Sequence, residues 1–128
     1  MSKKIIFTEK APAPIGPYNQ AVSVGNMLFA SGQIAIVPAT GELITGDVER
    51  EAKQVMENIA SVLEAANFAF TDIAKASIFL KSMDDFGKVN AIYGEYFENS
   101  TAPARECVEV ARLPKDVSVE ISVIAIKS

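Results

Sequence analysis

At 128 residues, with 49% of them hydrophobic, the chain has the size of one domain and can bury a core without disulfide or metal cross-links. Its formal net charge is −4 and its basic residues are scattered, so electrostatics gives no reason to expect nucleic-acid binding. The absence of histidine and the single cysteine, Cys107, exclude the usual zinc sites, Ser-His-Asp triads, Cys-His pairs and internal disulfides.

Motifs for export, membrane insertion and nucleotide binding are also missing from the sequence. The first apolar run is too short for a signal-peptide core, and no run approaches the roughly 20 residues of a membrane span. No GxGxxG occurs, and residues 41–46 lack the Lys-Ser/Thr that completes a phosphate-binding loop. We therefore expect one cytoplasmic domain over residues 1–128, with no membrane association, no organic cofactor and no metal.

The N-terminal part predicts a short strand followed by a stiff loop. Residues 4–8 have the composition of a strand. Three prolines in residues 11–17 fix φ and remove backbone donors, so this segment forms a loop that delivers Tyr18. Taken by itself, Tyr18 is expected to pack the loop against the body of the protein, with its hydroxyl bonded at the rim.

A β-hairpin is predicted next. Residues 19–24 and 27–36 look extended and flank Gly25-Asn26, a pair typical of a two-residue turn. Ser31-Gly32-Gln33 interrupts the apolar series of the second strand. A glycine inside a strand marks either a simple bulge or a close approach by a ligand or another backbone, and both interpretations stay open here.

Two helices and a strand are predicted in the middle of the chain. The longest helix begins after Asp47, a good N-cap residue, and carries an apolar stripe as far as Ala66, so its role is packing. The strand over residues 73–81 follows closely, which predicts a strand-helix-strand crossover and a parallel pair. A second helix, with an aromatic core face, runs from Asp84 or Asp85 to near Asn99.

The C-terminal residues predict two strands, over 104–113 and 117–127, joined by a short turn. If the valines of the first strand face the core, alternation places Arg105 and Glu120 together on the other side of the sheet. One interpretation is a polar pocket at a subunit interface. The other is a cross-strand ion pair on a wet face, worth only about 0–1 kcal/mol.

Together the elements predict an α+β fold, with a mixed sheet of about six strands and two helices packed on one face. The uncovered face then needs a partner. On its helix, Asn90 lies off the apolar stripe, where an asparagine is usually just solvated.

Four segments, in this order, resemble the RidA family of reactive-intermediate deaminases, formerly called YjgF-like proteins. They are IGPYNQAV at residues 15–22, FASGQIAI at 29–36, VNAIYGEYF at 89–97 and PARECVEVARLPKDVSVEI at 103–121. The resemblance spans essentially the whole chain. It implies a chorismate-mutase-like subunit in a homotrimer, in which three sheets form a central barrel and a ligand pocket lies at each subunit interface.

The resemblance also implies an activity. Enzymes of this family hydrolyse enamines and imines released by pyridoxal-phosphate-dependent dehydratases, such as 2-aminoacrylate and 2-iminobutyrate, to 2-oxo acids and ammonia. Arg105 matches the arginine that binds the substrate carboxylate, and Glu120 matches the glutamate that positions the attacking water. The other matches to pocket-lining residues are Tyr18, Ser31, Gly32, Asn90 and Cys107, with Gly32 and Cys107 acting chiefly through their backbone.

Two residues depart from the family pattern. Glu106 stands where a small residue is more frequent, and by alternation it points away from the pocket. Ala102 stands where many members have an aromatic residue, and the lost bulk could widen the pocket rim or shift substrate preference. Two other functions stay open: a non-catalytic, small-ligand-binding regulatory trimer, or an endoribonuclease or translation inhibitor, which the acidic balance disfavours.

Overall fold

The computed structural model describes residues 2–128, so the first residue of the domain expected over 1–128 lies outside the described part. Six strands form one mixed sheet in the order β1-β2-β3-β6-β4-β5, and two helices pack on one of its faces. The strands are β1 (Lys3–Ile6), β2 (Ala21–Val24), β3 (Met27–Gln33), β4 (Ile73–Leu80), β5 (Ala104–Glu109) and β6 (Val119–Ile126); the helices are α1 (Val48–Ala65) and α2 (Phe86–Gly94). The predicted α+β class, mixed six-stranded sheet and two helices are confirmed.

The strand pairing differs from the prediction in two places. β3 and β4 run in the same direction across α1, but they are not neighbours, because β6 lies between them and is antiparallel to both. The parallel neighbours are instead β4 and β5, which α2 connects. β5 and β6, expected to adjoin, are likewise separated by β4. The central position suits β6 because its inward side chains are all buried: Val119, Ile121, Val123 and Ala125.

Helix α1 is tied to the sheet by polar contacts as well as by its apolar stripe. Asp47 caps it as predicted, with Oδ1 accepting from the amides of Glu49 at 3.1 Å and Arg50 at 3.3 Å. The buried Asn58 donates from Nδ2 to the carbonyls of Ile34 and Ile36, at 3.1 and 3.0 Å. The segment that follows β3 is therefore fixed against α1.

Helix α2 ends at Gly94, earlier than the expected end near Asn99. After Gly94 the amides of Tyr96 and Phe97 bond to carbonyls three residues back, which tightens the last turn. Both aromatic rings then pack on Phe70, with centroid distances of 5.2 and 5.6 Å. Within residues 2–128, neither helix combines the length and apolar character needed to cross a bilayer.

The two faces of the sheet differ in cover. The helix-covered face is fully buried at Leu28, Ile78, Leu80 and Ile121. The opposite face, called here the open face, is exposed but carries many apolar side chains. Those with 39–49% of their area exposed are Ile5, Phe29, Val108 and Ile126.

Candidate active site

A cleft of about 550 Å³ opens on the open face where the proline-rich loop meets the ends of β3 and β6. Four of the seven residues proposed from the resemblance line it: Tyr18, Ser31, Gly32 and Glu120. The apolar part of the wall comes from Pro12, Ala13, Ile15, Ile34, Ile36 and Pro114. A mostly apolar cleft with a few convergent polar groups is the usual form of a small-molecule site.

Gly32 lies directly against the carboxylate of Glu120. The register of β3 on β6 shifts between Ala30 and Gln33, as expected for a bulge, which is one of the two interpretations that the sequence left open. A Cβ atom added at Gly32 would be 2.8 Å from Cδ and 2.9 Å from Oε2 of Glu120. Only a residue without a side chain lets this carboxylate occupy its place, so the glycine serves the approach of Glu120.

Glu120 has the electrostatics of a group that handles protons. Its side chain is half-buried, and among residues 2–128 it has no hydrogen-bond donor or ion-pair partner. Burial without compensation raises the pKa of the Glu120 carboxyl above its ordinary value. A carboxyl with a raised pKa in a cleft is a candidate general base or acid.

The cleft wall formed by the loop depends on Gln20, a residue that no sequence motif marks as functional. Its Oε1 accepts from the Thr8 amide at 2.7 Å, and its Nε2 donates to the carbonyls of Thr8, Ala11 and Pro12 at 2.9–3.2 Å. The side chain is 2% exposed. One buried amide thus holds the proline-rich loop, and no local pattern distinguishes such a glutamine from a solvated one.

Tyr18 and Ser31 have polar contacts of their own at the cleft. The Tyr18 hydroxyl accepts from the Ile15 amide at 3.3 Å while half of the side chain stays exposed. The expected bond of the hydroxyl is present, but its partner belongs to the same loop, so the packing of Tyr18 against the body of the protein stays a prediction. Ser31 donates from Oγ to the Asn19 carbonyl at 2.6 Å.

Arg105 lies on the other face of the sheet. It is in register with the buried Ala76 of β4 and so faces the helices, whereas Glu120 is in register with Phe79 and faces the cleft. The prediction that Arg105 and Glu120 share a face is therefore wrong for a single chain. The valine of β5, Val108, lies on the open face, because pairing with β4 decides which side of β5 turns inward.

Three residues of α2 surround the Arg105 guanidinium. Its Nη1 donates to Asn90 Oδ1 at 2.7 Å. Its central carbon is 5.6 Å from the ring centroid of Phe86 and 5.1 Å from that of Tyr93. Asn90 is exposed, as expected for a residue off the apolar stripe, but it has a specific partner rather than only solvent.

Cys107 lies two residues from Arg105 and on the same side of β5. Burial raises the pKa of its thiol, and the positive charge of Arg105 opposes that rise only in part. The neutral thiol is favoured, so a backbone role suits Cys107 better than a nucleophilic one. Within residues 2–128, no three His, Cys, Asp or Glu side chains lie together as a metal site would require.

Glu106 points away from Arg105, as alternation predicts, and lies on the open face. Its carboxylate accepts a hydrogen bond from Ser77 and pairs with Lys75 Nζ at 3.0 Å. The Ser77 hydroxyl, and then Lys75, hold the pKa of Glu106 below its usual value. This chain therefore has an ionised polar cluster on β4 and β5, on a face that also carries many apolar side chains.

Residues 8–127 match the family model described as endoribonuclease L-PSP. A RutC family protein of Pyrococcus horikoshii is 54% identical over 98% of both chains, and the 2-iminobutanoate/2-iminopropanoate deaminase of Escherichia coli K12 is 51% identical over 97% of this chain and 98% of its own. The crystal structure of E. coli TdcF with bound serine superposes with a TM-score of 0.91 at 45% identity, covering 98% of this chain and 99% of that one. The chain therefore belongs to the endoribonuclease L-PSP family, which is the RidA (YjgF) family that its sequence motifs resemble.

Proposed function

We propose that this protein is a homotrimeric deaminase, which hydrolyses 2-imino acids and their enamine tautomers to 2-oxo acids and ammonia. The observation that carries the proposal is a pair of ionisable groups with no counter-ion among residues 2–128 of their own chain. They are a guanidinium contacted there by neutral side chains, and a half-buried carboxyl with a raised pKa. The 51% identity to a 2-iminobutanoate/2-iminopropanoate deaminase supports the same reaction. The bound serine of TdcF supports an amino-acid-like ligand.

The chemistry needs only these two groups and water. Arg105 binds the substrate carboxylate through a charge-assisted contact worth roughly 1.5–3 kcal/mol, which fixes the plane of the molecule. Glu120 accepts a proton from water as the water oxygen bonds to the imine carbon. That proton then passes to the substrate nitrogen, which gives a carbinolamine. Glu120 next takes the remaining hydroxyl proton and passes it to the nitrogen as the carbon–nitrogen bond breaks, so that ammonia leaves and the 2-oxo acid remains. An enamine first gains a proton on carbon and loses one from nitrogen, and so becomes the imine.

The site is completed between subunits in this proposal. Within one chain Arg105 and Glu120 lie on opposite faces, with β4 between their strands. β5 is an edge strand and Arg105 is exposed at that edge, so a neighbouring copy can bring its own Glu120 cleft against it. The apolar side chains of the open face support burial against other copies. We assign Asn90, Arg105 and Cys107 to one half of each site, and Tyr18, Ser31, Gly32 and Glu120 to the other.

Release of 2-oxobutyrate and ammonia tests the activity directly. Threonine and a threonine dehydratase generate 2-iminobutyrate in situ, and wild-type protein is compared with Arg105→Ala. We expect acceleration above the dehydratase and buffer background by wild type alone. A correctly folded wild type that binds 2-oxobutyrate without accelerating release would instead be a binding protein.

Mixing two inactive variants tests the shared site. Arg105→Ala and Glu120→Gln are unfolded together in equal amounts and refolded as mixed trimers. If each site takes Arg105 from one subunit and Glu120 from its neighbour, about a quarter of the sites become wild type, and about a quarter of the activity returns. Each variant refolded alone is the control. No recovery from mixed trimers would place both residues of a working site in one chain.

A further inference from the structure

We propose that Asn90, Phe86 and Tyr93 are positioning residues for Arg105, and that they hold its guanidinium without neutralising it. The charge then stays available for the carboxylate of an anionic ligand. This inference rests on the proposed function, because it assumes that Arg105 is the carboxylate-binding group. It assigns Asn90 to Arg105 rather than to the substrate.

The three residues form one surface of α2. Their spacing of four and then three residues places them on the same side of the helix, which is the side that meets the exposed Arg105 of β5. Tyr93 is 6% exposed, so its ring is fixed by packing, and the ring of Phe97 lies against it in a tilted arrangement, with the centroids 4.7 Å apart. The guanidinium therefore meets a rigid aromatic wall.

The hydrogen bond from Arg105 to Asn90 uses one of the five N–H donors of the guanidinium. The Nε and Nη2 donors make no hydrogen bond to protein atoms among residues 2–128. The edge of the planar guanidinium that carries Nε and Nη2 thus remains for two-point binding of a carboxylate. Asn90 and the aromatic rings remove rotational freedom from the side chain before any ligand arrives.

The partners of Arg105 share one property, which is that none carries a net charge. Among residues 2–128 no carboxylate lies within ion-pair distance of it. The two acidic residues of the same strand are engaged elsewhere: Glu106 with Lys75 and Ser77, and Glu109 with the Met83 amide at 2.9 Å. An aspartate would fit at position 90 and accept the same hydrogen bond. Its negative charge would also pair with the Arg105 guanidinium, which would then be less available to the carboxylate of a ligand.

Two substitutions of Asn90 should affect ligand binding in an order that a merely structural role would reverse. Asn90→Asp keeps the oxygen that accepts the hydrogen bond from Arg105, and Asn90→Ala removes it. If this hydrogen bond served only folding, Asn90→Asp should therefore be the milder substitution. We expect the opposite for ligand binding. Asn90→Asp should weaken 2-oxobutyrate binding and raise KM roughly 10- to 100-fold, the worth of a charged hydrogen bond, while Asn90→Ala should cost roughly 2- to 10-fold. Because Asn90 is exposed, both variants should fold.

The experiment measures KM and kcat for imine hydrolysis, 2-oxobutyrate binding by calorimetry, and thermal unfolding, for both Asn90 variants and two others. Phe86→Leu keeps apolar volume but removes the ring, and should raise KM about 2- to 10-fold. Ala91→Asp adds the same charge at the neighbouring exposed position of α2, and should change neither KM nor 2-oxobutyrate binding appreciably.

The outcomes separate this inference from the proposed function. A wild-type protein that neither binds 2-oxobutyrate nor accelerates hydrolysis refutes the proposed function itself. An active wild type in which Asn90→Asp binds as well as or better than Asn90→Ala overturns the inference alone. The expected result is a selective rise in KM and in the dissociation constant with Asn90→Asp, with a smaller change in kcat and an unchanged melting temperature.

Discussion

Replacing Gly32 by alanine should damage catalysis far more than folding. The new Cβ would stand 2.8 Å from Cδ of Glu120, whereas ordinary contact begins near 3.4 Å. The carboxyl therefore has to withdraw by about 0.6 Å. Because it is the far end of a flexible side chain, the movement should cost less than about 1 kcal/mol of folding free energy. Misplacement of a catalytic group by 1 Å can cost about 100-fold in rate, so we expect kcat to fall about tenfold or more.

The assay compares kcat, KM and urea unfolding of Gly32→Ala with those of wild type. Gly94→Ala is the matched control, because a Cβ there meets nothing within 4 Å and replaces a helix-weakening glycine. It should keep full activity and gain up to about 1 kcal/mol of stability. If Gly32→Ala keeps a wild-type kcat, the position of the Glu120 carboxyl does not matter for turnover, and its assigned role is wrong.

Three further substitutions test the site and its support. Glu120→Gln should abolish turnover yet stabilise the fold at pH 7. Because the pKa of the Glu120 carboxyl is raised in the folded state, its ionisation weakens that state as pH rises. The higher melting temperature of Glu120→Gln should therefore return to the wild-type value near pH 4. Lys115→Gly should add about 0.5–1 kcal/mol to the free energy of unfolding, because Lys115 has a strained φ of 54°; a lower melting temperature would contradict this. Gln20→Leu should cost about 2–3 kcal/mol in urea unfolding, since the Thr8 amide and its neighbouring carbonyls lose a buried partner, and a neutral result would mean that other contacts hold the loop.

Local signals in the sequence were enough for the elements but not for their order in the sheet. The cap at Asp47 and the alternation along β6 depend on residues close together in the chain, and both predictions are confirmed. The position of β6 between β3 and β4 depends on pairing between distant segments, which no local pattern records.

In the candidate site, too, features set by local sequence were predictable, whereas features set by strand pairing were not. An irregularity at Gly32 was predictable, because a glycine that interrupts a strand marks either a bulge or a close approach, but the sequence could not choose between the two. The face of Arg105 was not, since β5 carries charged residues on both sides and its orientation follows from register with β4. Without that register, alternation alone cannot choose between the two sides of β5. The contact between Arg105 and Asn90 joins two elements and was equally beyond a local pattern.

The position of β6 also affects how the protein can be made. The ribosome releases β1, β2 and β3, and then β4 and β5, before the strand that joins these two groups has been synthesised. Until residues 119–126 emerge, β3 and β4 each present a sheet edge without its partner, and such edges pair readily with other chains. A pause in translation between β5 and β6 would therefore give the nascent chain time to associate wrongly rather than time to fold.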